Sequence, residues 1–128
     1  MILALALASA TTAADLDALG SAVAACDRAV VNPVFLAEAE RRSDLMRATF
    51  REQEAIVAQR RALAARRIEL RQQAVPGGYE ALTLAEAAVE ERQQALNDQR
   101  LLEALRRDTM DAMRHHFLQT CPAGKGRS

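Results

Sequence analysis

The chain has 128 residues with 17 basic and 17 acidic side chains; half of the residues are hydrophobic, yet only 3% are aromatic. The balance of charge argues against a nucleic-acid-binding surface, which needs a net positive charge. The scarcity of large apolar side chains argues against a large globular core. It predicts long helices that need partner helices to be stable.

The first ten residues have the pattern of a cleaved secretory signal. An uncharged apolar run, Ile2 to Ala8, is followed by the small-x-small motif Ala8-Ser9-Ala10. The run is much shorter than the roughly 20 apolar residues that a membrane-spanning helix requires. Because no Lys or Arg precedes it, a hydrophobic first helix is the alternative. We predict signal cleavage after residue 10, a periplasmic mature protein and no transmembrane anchor.

Residues 11–32 are predicted to form a short N-terminal segment. Apolar residues recur there at helical intervals, at Leu16, Leu19, Val23 and Cys26. This spacing predicts a short helix within 15–29, although residues 29–31, rich in β-branched side chains, could instead be extended. Asn32 is a favoured N-cap and Pro33 suits the first helical position. We therefore expect the first long helix to begin at Pro33.

The centre of the sequence predicts the turn of a helical hairpin. Pro76 lacks the backbone N–H that a continuing helix needs, and Gly77 and Gly78 can adopt the positive φ values of a helix C-cap and turn. The predicted fold is all-α, a long antiparallel two-helix hairpin resembling a coiled coil. Its arms are 33–74 and 79–120, its turn is 75–78, and each arm would span about 63 Å at 1.5 Å per residue.

Two heptad patterns support this hairpin. The first arm carries the pattern Phe35, Arg42, Thr49, Ile56, Leu63 and Leu70. The second arm carries Leu82, Val89, Leu96, Glu103, Met110 and Phe117. Folding the chain at Pro76 places these patterns opposite each other as mirror images, so that Leu70 meets Leu82 and Phe35 meets Phe117.

A second apolar line on the first arm predicts a binding surface. The line consists of Met46, Phe50, Val57 and Ile68 and is displaced around the helix by roughly 100° or more from the heptad pattern. One antiparallel partner helix therefore cannot cover both the line and the heptad pattern. We predict that apolar segments of clients or partners bind to Met46, Phe50, Val57, Ile68, Met110, Met113 and Phe117. The uncovered line also predicts either a homo-oligomer or docking of residues 15–29 against the hairpin.

The two cysteines predict one disulfide. Cys26 precedes the first arm and Cys121 follows the second, so the hairpin brings them to the same end. In a secreted chain such a pair is typical of a disulfide bond. Two free thiols in a cytosolic protein are the alternative.

No residue pattern predicts an enzyme, a cofactor or a metal site. His115 and His116 are adjacent and point about 100° apart on a helix, unlike the i, i+4 pair that binds a metal, although a site shared by His116 and Cys121 is conceivable. Glu90 and Glu91 are expected on solvated helix faces. Residues 122–128 are predicted to form a disordered tail.

The run Ala29-Val30-Val31-Asn32-Pro33-Val34-Phe35, followed by a helix rich in Arg, Gln and Glu, resembles the start of the periplasmic OmpH/Skp chaperones. The resemblance covers roughly residues 29–120. It implies a secreted trimer in which a short strand leads into a hairpin arm, and in which the arms hold unfolded outer-membrane proteins. The arms here carry no excess of positive charge, unlike that family. The segment Leu82-Thr83-Leu84-Ala85-Glu86 also resembles the LTxxQ motif of Spy-type periplasmic chaperones, with Glu86 in place of Gln.

Two functions follow as expectations. The first is a periplasmic holdase for envelope proteins. The second is a structural coiled-coil subunit of an envelope complex without chaperone activity. Both predict protein partners.

Overall fold

The computed structural model describes residues 15–123. Helix α1 covers 15–24, α2 is Arg28–Gln72 and α3 is Gly78–Thr120, and there is no strand within the described range. The long helices α2 and α3 pack together, which confirms the predicted all-α helical hairpin. The predicted signal at 1–10 and the tail beyond residue 123 lie outside the described residues.

Helix α2 begins five residues earlier than predicted. It begins at Arg28, where the Asp27 carbonyl accepts the first hydrogen bonds of the helix, and Pro33 lies inside it. The predicted N-cap at Asn32 is therefore wrong, as is the extended alternative for 29–31. The physical reason is burial: Val31 is completely buried, and burying an aliphatic side chain stabilises a fold by about 2 kcal/mol. Continuing the helix through Pro33 brings this side chain into the core.

The connection between α1 and α2 is a Schellman turn. The Asp27 N–H donates to the Ala22 carbonyl over 2.9 Å, and the Cys26 N–H donates to the Val23 carbonyl over 3.1 Å. Cys26 has a φ of 52°, in the left-handed position that glycine usually occupies at a helix end. The disulfide explains why a cysteine stands there: Cys26 is bonded to Cys121, with 5.5 Å between the Cα atoms. This confirms the predicted pairing.

The chain divides into two compact units, which we name by their contents. Among the described residues, the disulfide unit contains 15–42 and 104–123, and the turn unit is Ser43–Glu103. The core of the disulfide unit contains side chains from all three helices: Leu19, Val23, Val31, Met110, Phe117 and Cys121. Helix α1 therefore packs against the ends of the long helices. This is the predicted docking of residues 15–29 against the hairpin.

Further contacts close the disulfide unit. The Phe35 and Phe117 rings lie 6.5 Å apart between centroids, which confirms their predicted pairing. The Arg28 guanidinium lies 5.2 Å from the Phe117 ring centroid and donates to the carbonyls of Cys121 and Pro122. Arg28 thus satisfies carbonyl groups just past the C-terminus of α3, which have no partner within the helix.

The turn unit has a narrow core along the helix seam. Ile56, Val89 and Leu96 are buried together, with Leu63 packed against them. Leu70 and Leu82 are buried as well, nearer the turn. These contacts confirm the mirror register predicted from the heptad patterns.

The turn itself occupies residues 73–77 and differs from the prediction at one glycine. Gly77 has a φ of 72°, as expected, but Gly78 is the first residue of α3 and does not have a positive φ. A Cβ at Gly78 would lie 2.6 Å from Cδ2 of Leu70. Gly78 therefore serves close packing against α2, while Gly77 supplies the backbone conformation.

Candidate protein-binding surface

The most distinctive surface of the turn unit is an apolar strip on α2. We define the apolar strip as Met46, Phe50, Val57 and Ile68. Met46 is 70% exposed, Phe50 61% and Ile68 54%, while Val57 is half-buried. At 100° per residue the four side chains fall within about 40° of one another around the helix axis. They lie on one face of α2, with Arg61 on the same face between Val57 and Ile68, and Met46, Phe50 and Ile68 are left exposed.

Ion pairs and arginines border this strip. Arg60 binds Glu90 over 2.9 Å, and Arg67 binds both carboxylate oxygens of Glu86, over 2.7 and 2.8 Å. These bonds join α2 to α3 along one edge of the strip and fix which side of α3 lies next to it. Nη2 of Arg67 donates both of these hydrogen bonds, so one guanidinium nitrogen bridges the two carboxylate oxygens. These charge-assisted hydrogen bonds link the two helices at this edge.

On the opposite side of the turn unit, Arg92 of α3 joins the two long helices. Its guanidinium contacts both carboxylate oxygens of Glu52 and donates to Gln59. The hydrogen bond from Arg92 lowers the pKa of Glu52 below its usual range, and the same bond raises the pKa of Arg92. An open groove beside this pair is lined mainly by small side chains, among them Ala62, Ala85 and Ala88. It offers no buried polar group that would orient a small ligand.

Two residues of the predicted binding surface belong to the core. Met110 is 1% exposed and Phe117 is 2% exposed, and both pack in the disulfide unit with Leu19 and Val23 of α1. Met113 packs against the same cluster. The prediction for these positions is corrected, because α1 covers that face of α3. Their place in the heptad pattern already favoured burial.

The structure also exposes apolar side chains that the sequence interpretation missed. On α3 of the turn unit, Leu84 is 73% exposed, Leu101 61% and Leu102 56%. They lie outside the heptad pattern of α3, and that spacing alone would have predicted that they do not face α2.

A buried ionic cluster lies in the disulfide unit, centred on Glu38. The Glu38 side chain is only 7% exposed and accepts hydrogen bonds from Arg41, Arg42 and Arg106. Burial alone would raise its pKa, but the hydrogen bonds and charges of Arg41 and Arg106 outweigh burial and lower the pKa to about 2. The carboxylate is thus held ionised by structural partners, and its oxygens already accept several hydrogen bonds. It is a structural group and has no geometry for acid–base catalysis.

Arg106 is the costly member of this cluster. Its side chain is 10% exposed, and its Nε and Nη1 atoms are buried without a hydrogen-bond partner. Leaving buried donors unpaired costs on the order of 1–3 kcal/mol per group. The sequence interpretation missed Glu38 and Arg106 as a pair: Glu38 precedes Arg41 and Arg42 by one helical turn, but the mirror register places Glu38 opposite Arg114, eight residues from Arg106.

Within residues 15–123, no three His, Cys, Asp or Glu side chains are grouped to hold a metal ion, and His115 and His116 are both exposed. None of the described helices is long and apolar enough to cross a membrane. Comparisons with protein families, characterised proteins and solved structures find no match to this chain.

Proposed function

We propose that this protein is a helical-hairpin binding protein that works in the periplasm and holds non-native segments of envelope proteins along the apolar strip. The observation that carries the proposal is the exposure of Met46, Phe50 and Ile68 along one line of α2. Contiguous exposed apolar side chains with a polar border are typical of protein-interaction sites. Methionine and phenylalanine on such a line suit clients of varied sequence, because methionine adapts its shape to many partners.

The disulfide supports a location outside the reducing cytosol. Cys26 and Cys121 are at bonding distance, and bonds of this kind persist in oxidising compartments. The apolar run at Ile2 to Ala8 supports export. A binding protein in that compartment would meet unfolded envelope proteins in transit, which expose the apolar segments that the strip can accept.

The arrangement of charges around the strip limits the kind of client. Arg61 and Arg71 lie on α2 beside the strip and form no ion pair among the described residues, whereas Arg47, Arg60 and Arg67 are already bound to Asp44, Glu90 and Glu86. An apolar segment with acidic flanks would place its apolar side chains on the strip and its carboxylates beside Arg61 and Arg71. We therefore expect clients with acidic residues next to apolar segments to bind more tightly than clients with basic flanks.

The test is suppression of aggregation. The mature protein, mixed at stoichiometric ratio with an unfolded outer-membrane protein, should reduce light scattering after dilution from urea. The variant Phe50→Ser/Ile68→Ser should lose most of this effect. Leu84→Ser is the matched control, since Leu84 is an exposed apolar residue of the same unit outside the strip. If wild type and double variant suppress scattering equally, the strip is not the client site.

A second candidate is a structural coiled-coil subunit that pairs permanently through the same strip. It is favoured by the charge of the turn unit, in which 43–72 of α2 has seven arginines and four carboxylates and 78–103 of α3 has two arginines and six carboxylates. Helices of opposite charge are suited to pairing with each other. This function predicts no suppression of aggregation by the wild-type protein at any ratio.

A further inference from the structure

The two helices of the turn unit carry opposite charge. The α2 portion, 43–72, has seven arginines and four carboxylates, whereas the α3 portion, 78–103, has two arginines and six carboxylates. Within the whole chain these charges cancel. A surface that presents one basic and one acidic helix side by side is complementary to a second copy of itself, provided that the copies place unlike helices opposite each other.

Some of these charges have no partner within the chain. No ion pair joins Arg61 or Arg71 to a carboxylate among the described residues, and none joins Glu80 to a basic group. Arg61 and Arg71 lie on α2 on the side that carries the apolar strip. Glu86 and Glu90 lie on the side of α3 that the bonds from Arg67 and Arg60 place next to the strip. Glu80 is about 80° from Glu90 around α3 at 100° per residue, so it lies at the outer edge of that side.

We propose that the apolar strip is the docking site of a second copy of this chain, in a parallel dimer of turn units related by a two-fold axis along the hairpin. This inference rests on the proposed function because it assigns a resident partner to the same strip. With that axis, α2 of each copy lies on α3 of the other. An axis across the hairpin would instead set the basic α2 against the basic α2 of the second copy, which like-charge repulsion opposes.

The hairpin register decides which residues meet. Residues of α2 and α3 at one level of the hairpin stay at that level under the parallel axis. Leu70 is level with Leu82, so Arg71 of one copy meets Glu80 of the second copy. Leu63 is level with Val89 in the seam core, so Arg61 meets Glu90 of the second copy.

The apolar groups match in the same arrangement. Ile56 and Leu96 are level in the seam core. Phe50, six residues before Ile56, is level with Leu102 of the second copy. Leu101, one residue from that level, lies within about 20° of Glu90 around α3 and so on the strip side, and Phe50 meets Leu101. Both side chains are 61% exposed in the single chain. The dimer covers each of them with the other, and the symmetry makes every contact occur twice.

The available area is sufficient for a specific dimer. From Met46 to Arg71 the strip side of α2 extends about 38 Å at 1.5 Å per residue, and two helices side by side are about 20 Å wide. The face that each copy could bury is thus on the order of 750 Å², close to the roughly 800 Å² per partner of specific protein interfaces. In this arrangement the dimer protects the strip until a client displaces the second copy.

Charge-reversal variants test the proposal by sedimentation equilibrium of the mature protein. Wild type should be dimeric at micromolar concentration. Arg61→Glu/Arg71→Glu, and separately Glu80→Arg/Glu90→Arg, should each raise the homodimer dissociation constant about tenfold or more, because every reversed contact becomes a repulsion and occurs twice. Mixed one to one, the two variants should form a heterodimer, since each reversed helix then faces its complement. Arg66→Glu, about 180° from Val57 around α2 and therefore opposite the strip, should leave the dimer unchanged.

The outcomes separate this inference from the proposed function. Restored dimer in the mixture, with circular dichroism showing that both variants are folded, supports the parallel arrangement. A wild-type monomer, or a mixture that stays monomeric while both variants are helical, overturns it. Aggregation assays on Glu80→Arg/Glu90→Arg, which keeps the strip and the arginines of α2, report on the client site separately. If this variant is monomeric and still suppresses aggregation, the holdase function is retained and one copy is sufficient for it.

Discussion

The left-handed conformation of Cys26 makes a quantitative prediction about stability. A non-glycine residue in this conformation costs roughly 1–2 kcal/mol, which glycine avoids. In the native protein the disulfide outweighs that cost. Closing a loop with a sequence separation of 95 residues stabilises a fold by about 4–5 kcal/mol in the chain-entropy account. Removing the bond should therefore lower the free energy of unfolding by several kcal/mol. How stable the disulfide-free protein is should then depend on which residue stands at position 26.

Two variants isolate the backbone contribution. Cys26→Ala/Cys121→Ala and Cys26→Gly/Cys121→Ala both lack the disulfide and differ only at the Schellman turn. We expect the glycine variant to be more stable by about 1 kcal/mol in urea unfolding followed by circular dichroism, because it adopts the positive φ without steric cost. Glycine also adds entropy to the unfolded chain, which works in the opposite direction. An alanine variant as stable as the glycine variant, or more stable, would refute the assigned turn geometry.

Two more perturbations test the buried carboxylate and the hairpin turn. Because the pKa of Glu38 is about 2 when folded and near 4.5 when unfolded, its contribution is fully present above pH 4.5 and is lost as pH falls towards 2. Wild type should lose about 2 kcal/mol from this group between pH 6 and pH 3 in urea unfolding, whereas Glu38→Gln should lack that loss; parallel pH profiles would contradict the assignment. Gly77→Ala should destabilise the hairpin by about 1 kcal/mol, because alanine is strained at the positive φ of this position. Gly78→Ala should destabilise it because the new Cβ displaces the Leu70 side chain. Replacing Leu70 with a shorter side chain should reduce the destabilisation only in the Gly78 variant.

The sequence predicted the hairpin well because periodic patterns report directly on helix faces. The mirror relation of Phe35, Ile56 and Leu70 to their counterparts on α3 depends only on spacing and on the turn at Pro76, and the structure retains it. The disulfide followed from the same register. These features are local or periodic, and a single sequence contains them in full.

The features that the sequence did not predict depend on tertiary packing. A favoured N-cap at Asn32 was overridden by burial of Val31, and the Schellman turn has cysteine where a glycine would signal it. Met110 and Phe117 were assigned to a surface although their heptad positions favoured burial, and the core that encloses them also contains α1. Within the candidate site, the exposure of Met46, Phe50 and Ile68 agrees with the prediction, while their partner remains a proposal.

The central claim is that non-native client segments bind on the apolar strip, and site-specific photocrosslinking tests it most directly. A photoreactive phenylalanine analogue is placed at position 50, or at position 58 as a control on another side of α2, and the mature protein is illuminated with an excess of unfolded outer-membrane protein. The strip model predicts a client adduct from position 50 and little from position 58. Equal yields from both positions, or no client adduct from position 50, would contradict it.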